Sequence, residues 1–221
     1  GFALGELGRL EEAVTLCQET YDLASSLRVV SGVAWSAMLA GRTALLTGRI
    51  DDADSAFTES SQLFADLSDH GLRSWCLAGA VMAAAMAGDG ARAQQWVAEL
   101  DAVPPNPVRA MIADIDRSRA WATAATGDRA AARRAIEQAI GRSAASETHG
   151  QGLALVHDLA RLGDDRAARW LTAEHRGVQG ELAAARILLL DGLAAADGAA
   201  LDDAATALAG LGAALFAAEA S

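Results

Sequence analysis

The chain has 221 residues and a mass of 22.7 kDa, with 52% apolar residues, 21 glycines and only 5% aromatics. That apolar share excludes a disordered chain, and the scarcity of β-branched and aromatic residues leaves little from which to build a sheet. Eighteen basic against 29 acidic side chains give a net charge of −11, which repels phosphate backbones and excludes direct nucleic-acid binding as a first reading.

In chain order, residues 1–7 read as the tail of a helix. Helices are then expected over 9–27, 29–47, 50–68, 71–87, 89–101, 108–126, 128–145, 151–162, 164–176, 178–196 and 199–218. The helical assignment rests on apolar residues stepping by three and four, as in Ile50, Ala53, Phe57, Phe64 and Leu67, which line one helix face. Five turns share one pattern, a Gly, a polar residue, then an Ala five positions after the Gly. They are Gly8-Arg9 with Ala13, Gly48-Arg49 with Ala53, Gly88-Asp89 with Ala93, Gly127-Asp128 with Ala132, and Gly163-Asp164 with Ala168. A sixth, weaker copy is Asp197-Gly198 with Ala204.

The alanines are spaced 40, 40, 39, 36 and 36 residues apart. Self-similarity at such a period marks a stacked repeat. Adding 40 overlays Leu10 on Ile50, Cys17 on Phe57 and Trp35 on Trp75. Each Gly suits a left-handed residue after a helix end, and Asp89, Asp128 and Asp164 suit capping of the next helix. All three prolines fall in 103–107 and predict a bend there rather than a boundary, since the repeat keeps its phase across it. A softer break covers Ser143 to Gly152. The fold class is accordingly all-α: a tetratricopeptide-like α-solenoid of antiparallel helix pairs, 36–40 residues per repeat, forming one domain over 1–221.

The first unit lacks most of its leading helix, and the opening Gly1-Phe2 has no leader pattern. The chain therefore reads as a fragment of a longer multidomain protein. Its first unit is expected to show an apolar edge, covered by preceding residues or by self-association with a second copy. Cys17 and Cys76 are too few for a disulfide framework and fit a cytoplasmic protein. The longest apolar run, Trp75 to Ala87, has 13 residues, short of the roughly 18 that span a bilayer. No membrane association is expected.

No motif carries catalytic chemistry. Asp51, Asp52 and Asp54 superficially resemble a metal-diphosphate site, and an α/α-barrel enzyme would use them so. The previous repeat has Glu11-Glu12 in the same slot, and a helix dipole explains both. Gly88 to Ala93 fits a loose dinucleotide pattern without the strand it needs. His70, His149, His157 and His175 lack the spacing of a metal set, and no nucleophile has supporting partners. Catalytic, metal and cofactor sites are thus all read as none.

Trp35 and Trp75 are repeat-equivalent and predict packing, whereas Trp96, Trp121 and Trp170 break the repeat. The candidate lining of a concave groove is Arg42, Arg73, Arg119, Trp121, His157 and Arg186. Ordinary helix-surface ion pairing is the competing reading for the arginines.

The stretch LGELGRLEEAVTLCQETYDLA (4–24) is similar to a tetratricopeptide-type helix, in a unit longer than the usual 34 or so residues. GRTALLTGRIDDADSAFTESSQLFADLSDHG (41–71) resembles repeats in large actinobacterial transcription regulators of the LuxR type. RAWATAATGDRAAARRAIEQAI (119–140), LALVHDLARLGDDRAARWL (153–171) and LAGLGAALFAAEA (208–220) extend the resemblance over nearly the whole chain. Members of that family join a STAND-type ATPase module, a helical-repeat sensor and a C-terminal helix-turn-helix, some with a cyclase-like module in front. The resemblance covers only the middle part, so it implies sensing of a small inducer or a protein segment, relayed to ATPase and DNA-binding modules. A constitutive protein–protein scaffold with no small ligand is the alternative.

Overall fold

The computed structural model describes residues 1–104 and 109–220. Helix follows helix: α1 (Phe2–Leu7), α2 (Leu10–Ser26), α3 (Val30–Thr47), α4 (Ile50–Asp66), α5 (His70–Met86), α6 (Gly90–Ala102), α7 (Arg109–Ala125), α8 (Arg129–Ala145) and α9 (His149–Arg161). A 3-10 turn (Ala167–Trp170) and the short α10 (Ala173–Arg176) lead to α11 (Glu181–Ala195), α12 (Gly198–Gly210) and α13 (Ala214–Ala220). Sequential helices pack as neighbours throughout, and no strand occurs among the described residues. The fold is an all-α, solenoid-like stack.

The repeat has a physical basis at both landmarks. Gly8, Gly48, Gly88, Gly127 and Gly163 all take positive φ, between 77° and 102°. Ala13, Ala53, Ala93, Ala132 and Ala204 are fully buried, and Ala168 is half-buried. Asp89 and Asp128 accept hydrogen bonds from the backbone N–H of Arg92 and Ala131, capping α6 and α8.

Three turns inside pairs use the same left-handed conformation without glycine, at Arg28, Ser68 and Glu147, with φ of 56°, 57° and 56°. Ala196, φ 49°, does so before Asp197 in the sixth between-pair turn. A left-handed L-residue costs about 1–2 kcal/mol, partly offset in a glycine variant by its greater unfolded-state entropy. Ala196→Gly is accordingly expected to stabilise the fold by about 0.5–1 kcal/mol and raise Tm by roughly 1–4 °C. Calorimetry checks this, and an unchanged or lower Tm counts against it.

Two expected helices are corrected. The span 164–176 is not one helix. The Asp164 side chain accepts from the Arg166 N–H, two residues on, and so closes a tight turn instead of capping a long helix. Leu171 is extended, and Thr172 restarts the chain into α10 through a reciprocal cap with His175. The span 199–218 is two helices, because Gly212 at φ 78° ends α12 and lets the Ala213 N–H reach back to the Leu208 carbonyl. At the proline break, Val103 leaves α6 in an extended conformation. Residues 105–107, where the bend was expected, lie outside the described residues.

The stack curls until its ends meet. The odd-numbered helices α1, α3, α5, α7, α9, α11 and α13 form the inner wall, each from α1 to α11 against the next. α11 also packs on α1, and α13 on α3. Leu10 and Leu46 share one core cluster with Leu190, Leu208 and Phe216. At the seam, Gly180 lies against Leu7, Leu182 against Gly8 and Leu215 against Gly48. The chain's own last helices thus cover part of the apolar edge of the first unit, while Phe2 and Leu7 stay 41% and 38% exposed.

Inside the wall, α5 is apolar nearly all round and buried along most of its length. The Phe57 ring of α4 reaches between α3 and α5. It occupies the space that a side chain on Gly79 would need, so only glycine admits the ring there.

Candidate functional site

Curling brings polar side chains from distant repeats to one interior. A central cavity of about 50 Å³, room for a few water molecules, is bounded by the inner helices. Its polar wall includes Glu6 of α1, Arg42 of α3, Asp114 and Arg117 of α7 and Arg186 of α11. Leu46, Phe57, Trp75, Met82, Met86 and Phe216 form its apolar wall.

Two charge networks hold this interior. In the first, one Asp114 oxygen accepts from Arg42 Nη1 at 2.8 Å and from the Trp75 indole N–H at 2.7 Å. The Arg42 guanidinium also lies 4.5 Å from the Trp75 ring centre and 4.9 Å from that of Phe2, within cation–π range. Burial alone would raise the Asp114 carboxyl, but Arg42, Arg117 and these hydrogen bonds hold it below the usual carboxylate range.

In the second network, Asp158 of α9 is fully buried and accepts from Arg117 Nε and Nη2 through its two oxygens, and from Arg161 Nη1 at 3.0 Å. Arg161 continues to Glu219 of α13, and its guanidinium lies 4.5 and 4.7 Å from the Trp121 and Phe216 ring centres. Burial opposes the Asp158 charge, yet the two arginines outweigh it and hold the carboxyl far below its ordinary range. Arg117 is correspondingly pushed above the ordinary guanidinium value despite its burial.

His157 and Arg186 complete the cluster. The His157 ring meets Phe216 edge-on at 5.0 Å, and burial, then the charges of Arg186 and Arg161, hold its pKa well below the usual imidazole range. Burial lowers Arg186 to about 10. The thiols take no part: both are buried, and burial pushes Cys76 up to about 12.

The structure therefore brings Arg42 and Arg186 to the cavity, with His157 packed behind Phe216. Trp121 lies under Arg161, in the layer behind. Arg73 and Arg119 are elsewhere, the half-buried Arg73 paired with Glu99 and the exposed Arg119 with Asp101. Sequence reasoning passed over Glu6, Asp114, Arg117 and Arg161, whose local surroundings look like any charged helix face. It also assigned Trp75 to packing. Trp75 is buried and its indole N–H anchors Asp114, whereas its repeat-equivalent Trp35 is 42% exposed.

Among the described residues no three His, Cys, Asp or Glu side chains converge as a metal set, and no helix is long and apolar enough to cross a membrane. No family model matches the chain, and neither a curated protein nor a solved structure shows significant similarity to it.

Proposed function

We propose that this chain is the non-catalytic sensor segment of a LuxR-type transcriptional regulator. An inducer in the central cavity would tighten the curled stack and bias ATPase and DNA-binding modules of a longer, cytoplasmic protein. The observation that carries the reading is the cavity wall, contributed by helices from α1 to α13. An occupant touches the first and last repeats together, so binding is coupled to the α1–α11 and α3–α13 seams. The coupling is limited by the difference in affinity between closed and opened stacks. The sequence resemblance supports the regulator context.

A thermal-shift screen of metabolites followed by hydrogen exchange with a hit tests the proposal. Slower exchange in α1, α11 and α13 than in the peripheral α6 is the expected result. A hit that leaves these seams unprotected overturns the relay.

The scaffold alternative draws on a different place, the exposed apolar Leu23, Leu27, Val29, Val30 and Leu67 at the α2–α3 turn and the end of α4. A protein partner captured there, with no metabolite response, would favour it.

A further inference from the structure

The cavity's charges are unevenly matched, and this imbalance, taken together with the sensor reading on which the inference rests, gives the ligand a chemical class. Five charged side chains line the wall: Arg42, Arg117 and Arg186 against Glu6 and Asp114. Asp114 is taken by Arg42, and Glu6 also approaches Arg42, at 3.5 Å. Arg117 is held by Asp158, which it shares with Arg161.

Arg186 differs from its neighbours. It is 3% exposed, and its Nε has no hydrogen-bond partner among the described residues. No described carboxylate lies within ion-pair distance of it. Its guanidinium instead faces the Phe216 ring, 5.9 Å away. Glu6 and Asp158 attract it from further off, while Arg117 and Arg161 repel it. A buried guanidinium without a counter-ion is costly, and a fork of N–H donors is shaped to receive a carboxylate through two parallel hydrogen bonds. Apart from Gln151, the remaining wall, with Phe57, Met82 and Met86, is apolar.

The geometry points to a short-chain monocarboxylate as the cavity's ligand, its carboxylate on Arg186 and its hydrocarbon tail against the apolar wall. One negative charge matches Arg186, the one guanidinium of the lining that no described carboxylate pairs. The free space admits about four to six non-hydrogen atoms, the range from acetate to butyrate.

The test is thermal unfolding and titration calorimetry of the 221-residue chain with acetate, propionate and butyrate at constant ionic strength. Sodium nitrate and chloride serve as anion controls, with propionamide and butyramide as neutral matches. At about one hundred times Kd a carboxylate should raise Tm by about 5–10 °C, and the amides should not.

Arg186→Met should weaken binding at least a hundredfold. It should also leave the ligand-free Tm unchanged or higher, because it removes an unmatched buried charge. Arg186→Lys keeps the charge but loses the fork and should bind about tenfold more weakly. If Arg186→Met does not fold, the lysine variant decides: undiminished binding overturns the proposal. No response to any of the three acids at tens of millimolar also overturns it, as does equal response to nitrate and chloride. Amides that bind as well as the acids remove the carboxylate while leaving the sensing cavity in place. Silence from every small molecule removes both.

Discussion

Asp158→Ala is expected to destabilise the protein by about 3–5 kcal/mol, a fall in Tm of roughly 6–20 °C. The carboxylate is fully buried and is the shared counter-ion of Arg117 and Arg161. Its removal leaves two guanidinium groups in a low-dielectric interior, where Glu219 reaches only Arg161. Asp158→Asn keeps the shape and some of the hydrogen bonds and should lose less. Urea unfolding of the three proteins reads the difference, and a loss below about 1 kcal/mol for the alanine variant would show that water already screens the cluster.

The same groups set the acid limb of stability. His157 is held neutral in the folded chain, so its folded pKa lies below the unfolded value of about 6.5. Its contribution is complete above about pH 6.5 and drains as pH falls towards the folded pKa. Asp114 and Asp158 are depressed in the same sense. They contribute fully above about pH 4, the unfolded carboxylate value, and lose that contribution below it. Stability should therefore decline in two stages on acidification, and His157→Phe should blunt the first.

Gly180→Ala is expected to open the seam. Gly180 has φ 116° and ψ 153°, a conformation reserved for glycine. An added Cβ would stand 2.9 Å from the Leu7 Cα and 3.0 Å from its carbonyl oxygen. Backbone strain of order 1–3 kcal/mol combines with a contact that only main-chain movement relieves, for a total of about 2–4 kcal/mol.

Gly88→Ala supplies the comparison. Its φ is also positive, 77°, but the added methyl meets nothing within 4 Å, so only the left-handed cost of about 1–2 kcal/mol applies. Hydrogen exchange should report faster opening of α1 and α11 in Gly180→Ala, with α4 and α5 unaffected. Equal effects of the two substitutions would mean that the α1–α11 contact contributes little.

The repeat was legible because glycine and alanine announce it: Gly48 takes a left-handed backbone and Ala53 is fully buried. Arg28, Ser68 and Ala196 occupy equally left-handed turns, but their side chains carry no such signal. The 199–218 span misled because Gly210 and Gly212 fall within a continuous apolar pattern. Closure left no local trace, since Gly8 meets Leu182 and Gly48 meets Leu215 across most of the chain.

That closure explains what could be read of the site. Arg42, Arg73, Arg119 and Arg186 are chemically alike in the sequence, and only the curvature of the stack decides that the first and last face inward. Asp114 was invisible for the same reason, because its partners Arg42 and Trp75 come from other repeats.

An open array of helix pairs frays from its tips, each terminal unit being braced on one side only. Here the tips brace one another: loosening α13 withdraws support from α3, and loosening α11 withdraws it from α1. Such a latched coil has no weakest rung from which to unzip, so its breakdown is closer to the snapping of a clasp than to the unravelling of a rope, and extra rungs cannot be spliced in without undoing both latches.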